Sequence, residues 1–168
     1  MTFCAIRSTS AWRCEATPRL IEPPGEVMDP EARAALRAVY EAVLYELVEP
    51  ALTLRVGEPC AALDALLTRR GARQFAWLTA WNPGGAPAPE AENLAAQEEL
   101  EAALVALGAA PLSGVARGID GWPDEPSLLA PGLAFASARG LAARFGQIAF
   151  LHGHRGAAPA LCFVTEPA

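Results

Sequence analysis

Three observations on this sequence predict an α+β domain, a mixed sheet of about five to six short strands packed with about four helices. Apolar residues recur at helical spacing in several stretches, short alternating or wholly apolar runs lie between them, and Pro or Gly marks most junctions. Length sets the scale. The chain has 168 residues and 52% apolar content, enough for one ordinary domain with one sizeable core.

Residues 1–27 show no sustained period and finish in Pro-Pro-Gly, so they read as an irregular or disordered arm. A second reading starts translation at Met28, because Gly25-Glu26 can be encoded by a purine-rich stretch resembling a ribosome-binding site just upstream. Residues 28–168 then form the single globular domain.

Asp29 suits a helix cap, Pro30 the first helical position, and Leu36, Val39, Tyr40, Val43, Leu44 and Leu47 recur at helical spacing up to Pro50. "LTLRV" (52–56) alternates as a short strand before Gly57. Pro59 opens a second helix with the stripe Leu63, Leu66 and Leu67, closed by Gly71. "QFAWLTAW" (74–81) is apolar on both faces, as a strand covered on both sides must be.

After Asn82-Pro83-Gly84-Gly85, Pro89 starts a third helix, with Leu100, Ala103, Leu104 and Leu107 inward and Gly108 at its end. This order of strand, turn and helix resembles half of an α/β unit. "LSGVARG" (112–118) and "SLLA" (127–130) read as strands around the loop "IDGWPDEP", and a fourth helix spans about 134–145. "IAFLH" and "ALCFV", joined by a Gly-rich connection, suit a terminal hairpin.

Composition excludes several functions. A formal net charge of −6 and a pI near 4.9 argue against general binding of nucleic acid or of anionic membrane, which needs a basic face. The chain contains Arg but no Lys, a pattern that GC-rich coding explains and that removes Schiff-base chemistry and the phosphate-binding P-loop. There is no bilayer-spanning run or signal-peptide segment, and Cys4, Cys14, Cys60 and Cys162 form no CxxC pair. A soluble bacterial-type cytoplasmic protein with reduced thiols follows, and no cofactor motif is present.

The candidate site residues lie where elements end. In open α/β sheets ligands bind beyond strand ends. Asn82 leaves the predicted central strand, and Asn93 opens the next helix on a stripe with Gln97, Leu100 and Leu104. Both amides suit hydrogen-bond recognition of a ligand; the alternative is that Asn82 caps its own turn and Asn93 satisfies the start of its helix. "GIDGWPDEPS" (118–127) gathers Asp120, Asp124, Glu125 and Ser127 around Trp122. Glu125 is the candidate acid or base, because a carboxyl beside an indole can be desolvated. Asp124 reads as a turn cap. Ser127 is a ligand-contact candidate without a nucleophile motif. Gln147, after a helix ending in Gly146, offers another amide.

His152 and His154 form an HxH, a weak two-ligand metal alternative with no third ligand at diagnostic spacing; Gly-flanked, solvent-facing loop histidines are the competing reading. Cys60 and Cys162 read as packing residues.

The pieces "AWLTAWNP", "EN", "GIDGWPDEPSLL" and "LAARFGQIAFL" resemble the bacterial family described as domain of unknown function 3293, over approximately residues 37–163. The resemblance places the family pattern on Trp81, Asn82, Pro83, Asn93, Gly118, Trp122, Glu125, Ser127, Phe145, Gly146 and Gln147. The chain departs from it after Asn82-Pro83, where a small hydroxyl residue is expected and Gly84-Gly85 stand. The family brings no activity. The sequence therefore predicts a pocket for a small polar metabolite or nucleotide. Its rival is a protein-interaction module with an aromatic surface around Trp81 and Trp122 and no catalysis.

Overall fold

Helix α1, Pro30–Ala42, begins as its sequence requires. The Asp29 carboxylate accepts from the backbone N–H of Glu31 and Ala32, and Pro30 occupies the first turn. The structure, a computed structural model, describes residues 29–165; the expected N-terminal arm and the alternative start at Met28 lie outside them.

After α1 come strands β1 (Tyr45–Leu47) and β2 (Leu52–Leu54), helix α2 (Ala61–Arg69), strand β3 (Gln74–Leu78) and helix α3 (Glu90–Ala106). Strands β4 (Leu112–Ala116) and β5 (Glu125–Pro131), helix α4 (Phe135–Arg144) and strands β6 (Ala149–His154) and β7 (Ala160–Phe163) complete the described order. The strands form one sheet, β2-β1-β4-β5-β3-β6-β7, in which every neighbouring pair is antiparallel.

The α+β class holds, with two corrections. The sheet is antiparallel rather than mixed: β3 runs against both of its neighbours, β5 and β6, and α3 leads to β4, which does not pair with β3. Among the described residues the strands number seven rather than five or six, because β1 lies inside what reads as the first helix. Val43 and Leu47 are four residues apart, a spacing that fits both periods, and the buried positions Val43, Tyr45 and Leu47 follow the period of two. Pro50 sits in the turn between β1 and β2, not at a helix end.

The sheet separates two apolar layers. On one face Phe75 and Trp77 of β3 pack with Tyr45, Leu54, Leu161 and Phe163, under α2 through Leu63, Leu66 and Leu67 and under α1 through Leu36 and Tyr40. On the other, Ala76, Leu78 and Ala80 pack with Leu100 and Leu104 of α3 and Ala138, Leu141 and Ala142 of α4. The central strand is covered on both sides, as its composition predicts.

Room for Trp77 comes from Gly114 on β4. A Cβ there would collide with the six-membered ring of Trp77 and press on the Glu46 carbonyl. Gly114→Ala is expected to lower unfolding free energy by about 1–3 kcal/mol through overpacking. Urea denaturation with an unchanged midpoint would contradict this account.

Candidate functional site

Strand β3 leaves the ladder at Leu78, but the chain stays at least half-buried as far as Asn82, with Ala80 and Asn82 buried. Backbone N–H groups in such a segment need acceptors. Each finds one in a side chain: Ala80 N–H donates to Gln97 Oε1 (2.9 Å), Trp81 N–H to Thr79 Oγ1 (3.0 Å) and Asn82 N–H to Asn93 Oδ1 (2.8 Å). Thr79 in turn donates to the Pro126 carbonyl at 2.8 Å. Asn93 and Gln97 are one turn apart on α3, so one helix face supplies two of the three acceptors.

Asn82 adopts a left-handed backbone, φ 49°. Its Oδ1 accepts from Ala88 N–H (3.1 Å) and from Asn93 Nδ2 (3.0 Å), and its Nδ2 donates to Glu125 Oε1 at 2.8 Å. Asn93 Nδ2 also donates to the Ala88 carbonyl at 3.2 Å. Asn93 is thus fully occupied behind the site, whereas Asn82 carries the network forward to the carboxylate.

Glu125 opens β5 opposite Ala116. Its Oε1 receives a second neutral donor, Trp122 Nε1, at 2.9 Å, while Oε2 has no hydrogen bond among the described residues. Ser127 Oγ donates to the Glu125 carbonyl at 3.1 Å. Gln147 Nε2 donates to the Trp81 and Phe145 carbonyls (3.0 and 3.4 Å), and Gly84 N–H donates to the Gly146 carbonyl at 2.8 Å. The "RFGQ" segment therefore clamps the Asn-Pro-Gly-Gly turn.

The loop carrying Trp122 is held at its base. Arg117 bridges Glu46 (2.7 Å) and Asp124 (2.6 Å), and Asp124 also accepts from Gly118 N–H at 2.9 Å. That backbone N–H first, and Arg117 second, hold the Asp124 carboxyl below its ordinary range, so Asp124 caps its loop as the sequence suggests. Gly118 has no space for a Cβ, which would meet the Trp122 carbonyl. Asp120 lies exposed at the turn.

These groups surround a cavity of about 220 Å³ between α1, the sheet and this loop. Leu36, Val39, Tyr40 and Val43 of α1 roof it, Tyr45, Trp77 and Leu151 belong to its sheet wall, and Asn82, Trp122, Glu125, Ser127 and Gln147 line it too. Of the residues the sequence singles out, the structure brings these five to one cavity and leaves Asn93 a layer behind.

Sequence reasoning missed Tyr40, Tyr45 and Trp77 as site residues. Tyr45 lies against Trp77 edge to face, ring centroids 5.7 Å apart, and donates to the Tyr40 carbonyl at 3.1 Å. Burial, and then the charge of Glu125, push the Tyr40 phenol up to about 12 from its ordinary 10.0. Burial, Tyr40 and Glu125 push Tyr45 up as well. Trp77 Nε1, sealed from solvent, has no acceptor among the described residues.

The histidines are elsewhere. His152 is a buried strand residue rather than a loop one, its ring 5.3 Å from Phe135 and 5.5 Å from His154, and burial followed by His154 lowers its pKa. The alternation of β6 turns it into the core layer that the flanking glycines obscure. Among the described residues no group of three His, Cys, Asp or Glu side chains is placed to hold a metal.

Antiparallel sheet, two helices on each face and a carboxylate-bearing aromatic cavity at the exit of the central strand define the class of domain. Residues 78–150 match the family model described as Protein of unknown function (DUF3293), the family whose motifs the sequence resembles. The match runs from the exit of β3, through the Trp122 loop, into β6. No curated protein and no solved structure matches the chain.

Asn93→Leu removes the acceptor for Asn82 N–H and both donated bonds. We expect it to destabilise the fold by about 1–3 kcal/mol, the cost of stranding buried polar groups, in urea unfolding. The tyrosines give a pH readout. A phenol raised in the fold adds stability that is complete below its unfolded value near 10 and is lost as pH rises through about 12. The chain's two tyrosines both line the cavity, so near-ultraviolet titration should show little phenolate at pH 10, and Glu125→Gln should lower the Tyr40 midpoint. An ordinary titration of both would contradict the placement.

Proposed function

We propose that this domain binds a small polar metabolite or nucleotide-like compound in the cavity, with Glu125 as the anchoring group and, in any reaction there, the acid or base. One observation carries the reading. A carboxylate is held by Asn82 and Trp122 through Oε1 alone, and its second oxygen is uncommitted among the described residues, at a largely apolar cavity. Pockets of this type take affinity from apolar walls and orientation from a few fixed polar groups.

Among the described residues the wall contains no His or Cys, and Ser127 is bonded to a backbone carbonyl rather than to a base. No helix among the described residues is long and apolar enough to cross a membrane. The sparse cysteines, none in a CxxC pair, and the acidic composition favour the cytoplasm as its location. An interaction surface built on Trp81 and Trp122 has less support. Trp81 is half-buried, and the Trp122 indole N–H is committed to Glu125.

A thermal-shift screen against a metabolite library tests this. A ligand at a hundredfold excess over its Kd is expected to add about 2.7 kcal/mol. Glu125→Gln should keep the melting temperature of the free protein and lose the ligand-induced rise. A rise retained in that variant would remove Glu125 from the site, and a library without any stabilising compound would sink the pocket reading.

A further inference from the structure

The charges around the cavity do not balance. Among the described residues its wall contains one cationic side chain, Arg117, and that guanidinium is already shared between Glu46 and Asp124 at 2.7 and 2.6 Å. No ion pair reaches Glu125 among the described residues, and both of its donors, Asn82 Nδ2 and Trp122 Nε1, are neutral. A carboxylate partly withdrawn from water without a counter-charge is held at a cost, which a cation or a strong N–H donor beside Oε2 offsets.

The walls suit that guest. Tyr40, Tyr45, Trp77 and Trp122 present aromatic rings, which attract cations through their faces and stack on flat molecules. The volume of about 220 Å³ lies below the roughly 300–1,000 Å³ of pockets for drug-sized ligands, so the guest has one or two rings. An anionic guest meets the opposite conditions: an uncompensated carboxylate, and a guanidinium with two carboxylates already on it.

Resting on the pocket reading above, and narrowing it to guests without phosphate, we propose that the cavity selects a small flat nitrogen base, cationic or rich in N–H, that donates to Glu125 Oε2, and that it rejects ligands bearing phosphate or carboxylate. Selection comes from the charge left on Glu125 once Arg117 is occupied. Asn82 and Trp122 fix the direction in which that oxygen is offered.

Three probes of nearly one shape and different charge separate this proposal from the pocket reading: benzamidine, benzamide and benzoate. Each is titrated into the full chain while the Trp122 indole N–H resonance, identified by its loss in Trp122→Phe, is followed by NMR. The expected order is benzamidine tightest, benzamide next and benzoate weakest, with benzamidine at least about tenfold tighter than benzoate. Glu125→Gln keeps an oxygen for both neutral donors and should bring benzamidine and benzamide to equal affinity.

Benzoate binding as tightly as benzamidine would overturn the proposed class and leave the pocket reading standing. A benzamidine preference that survives in Glu125→Gln would overturn it too, as attraction to the net charge alone. No response to any probe would overturn both. Should the Gln variant fail to fold, the ranking on the unaltered protein decides.

Discussion

Three consecutive backbone N–H groups, at residues 80, 81 and 82, govern this structure more than any single apolar contact. They lie in a buried to half-buried segment after the strand has run out of neighbours, and an unpaired buried N–H costs about as much as a lost hydrogen bond. The fold meets that demand with side chains. Gln97 and Asn93 reach from one face of α3, and Thr79 reaches from the strand itself. These contacts fix the height of α3 against the sheet, and they commit the chain to leaving β3 in one direction.

That direction aims the Asn82 amide at Glu125, and the chemistry of the cavity follows. A carboxylate fastened by arginine would be neutralised where it stands. This one is fastened by an amide and an indole, so its position is fixed while its charge is retained. Arg117 is only a few residues away but is diverted by Glu46 and Asp124 into holding the loop base. Structural and recognition duties thus fall on different carboxylates, although Asp124 and Glu125 are adjacent in sequence.

The fold and the site were legible to different extents. Among the described residues periodicity located the four α-helices, six of the seven strands and both faces of β3, because those segments bury one side or two with an unambiguous period. β1 was hidden by the spacing of Val43 and Leu47, which a helix and a strand both satisfy. The antiparallel sheet was hidden because strand direction depends on pairing over long separations, which local composition does not encode. Polar residues at element ends pointed to Asn82, Trp122, Glu125, Ser127 and Gln147. Tyr40, Tyr45 and Trp77 escaped because a large aromatic residue on an inward face reads as core, and nothing in its own segment says that the space beside it is left open.

Position 82 answers to two independent demands. Its backbone is left-handed, a region that glycine, asparagine and aspartate enter with little penalty and that costs other residues roughly 1–2 kcal/mol. Its side chain must accept from Ala88 and Asn93 and also donate to Glu125. Glycine meets the first demand and fails the second, and aspartate would set oxygen against oxygen at Glu125. One amino acid remains. Changing it calls for compensating changes at Asn93 and Glu125, whose side chains it joins, while Ala88 takes part through its backbone alone.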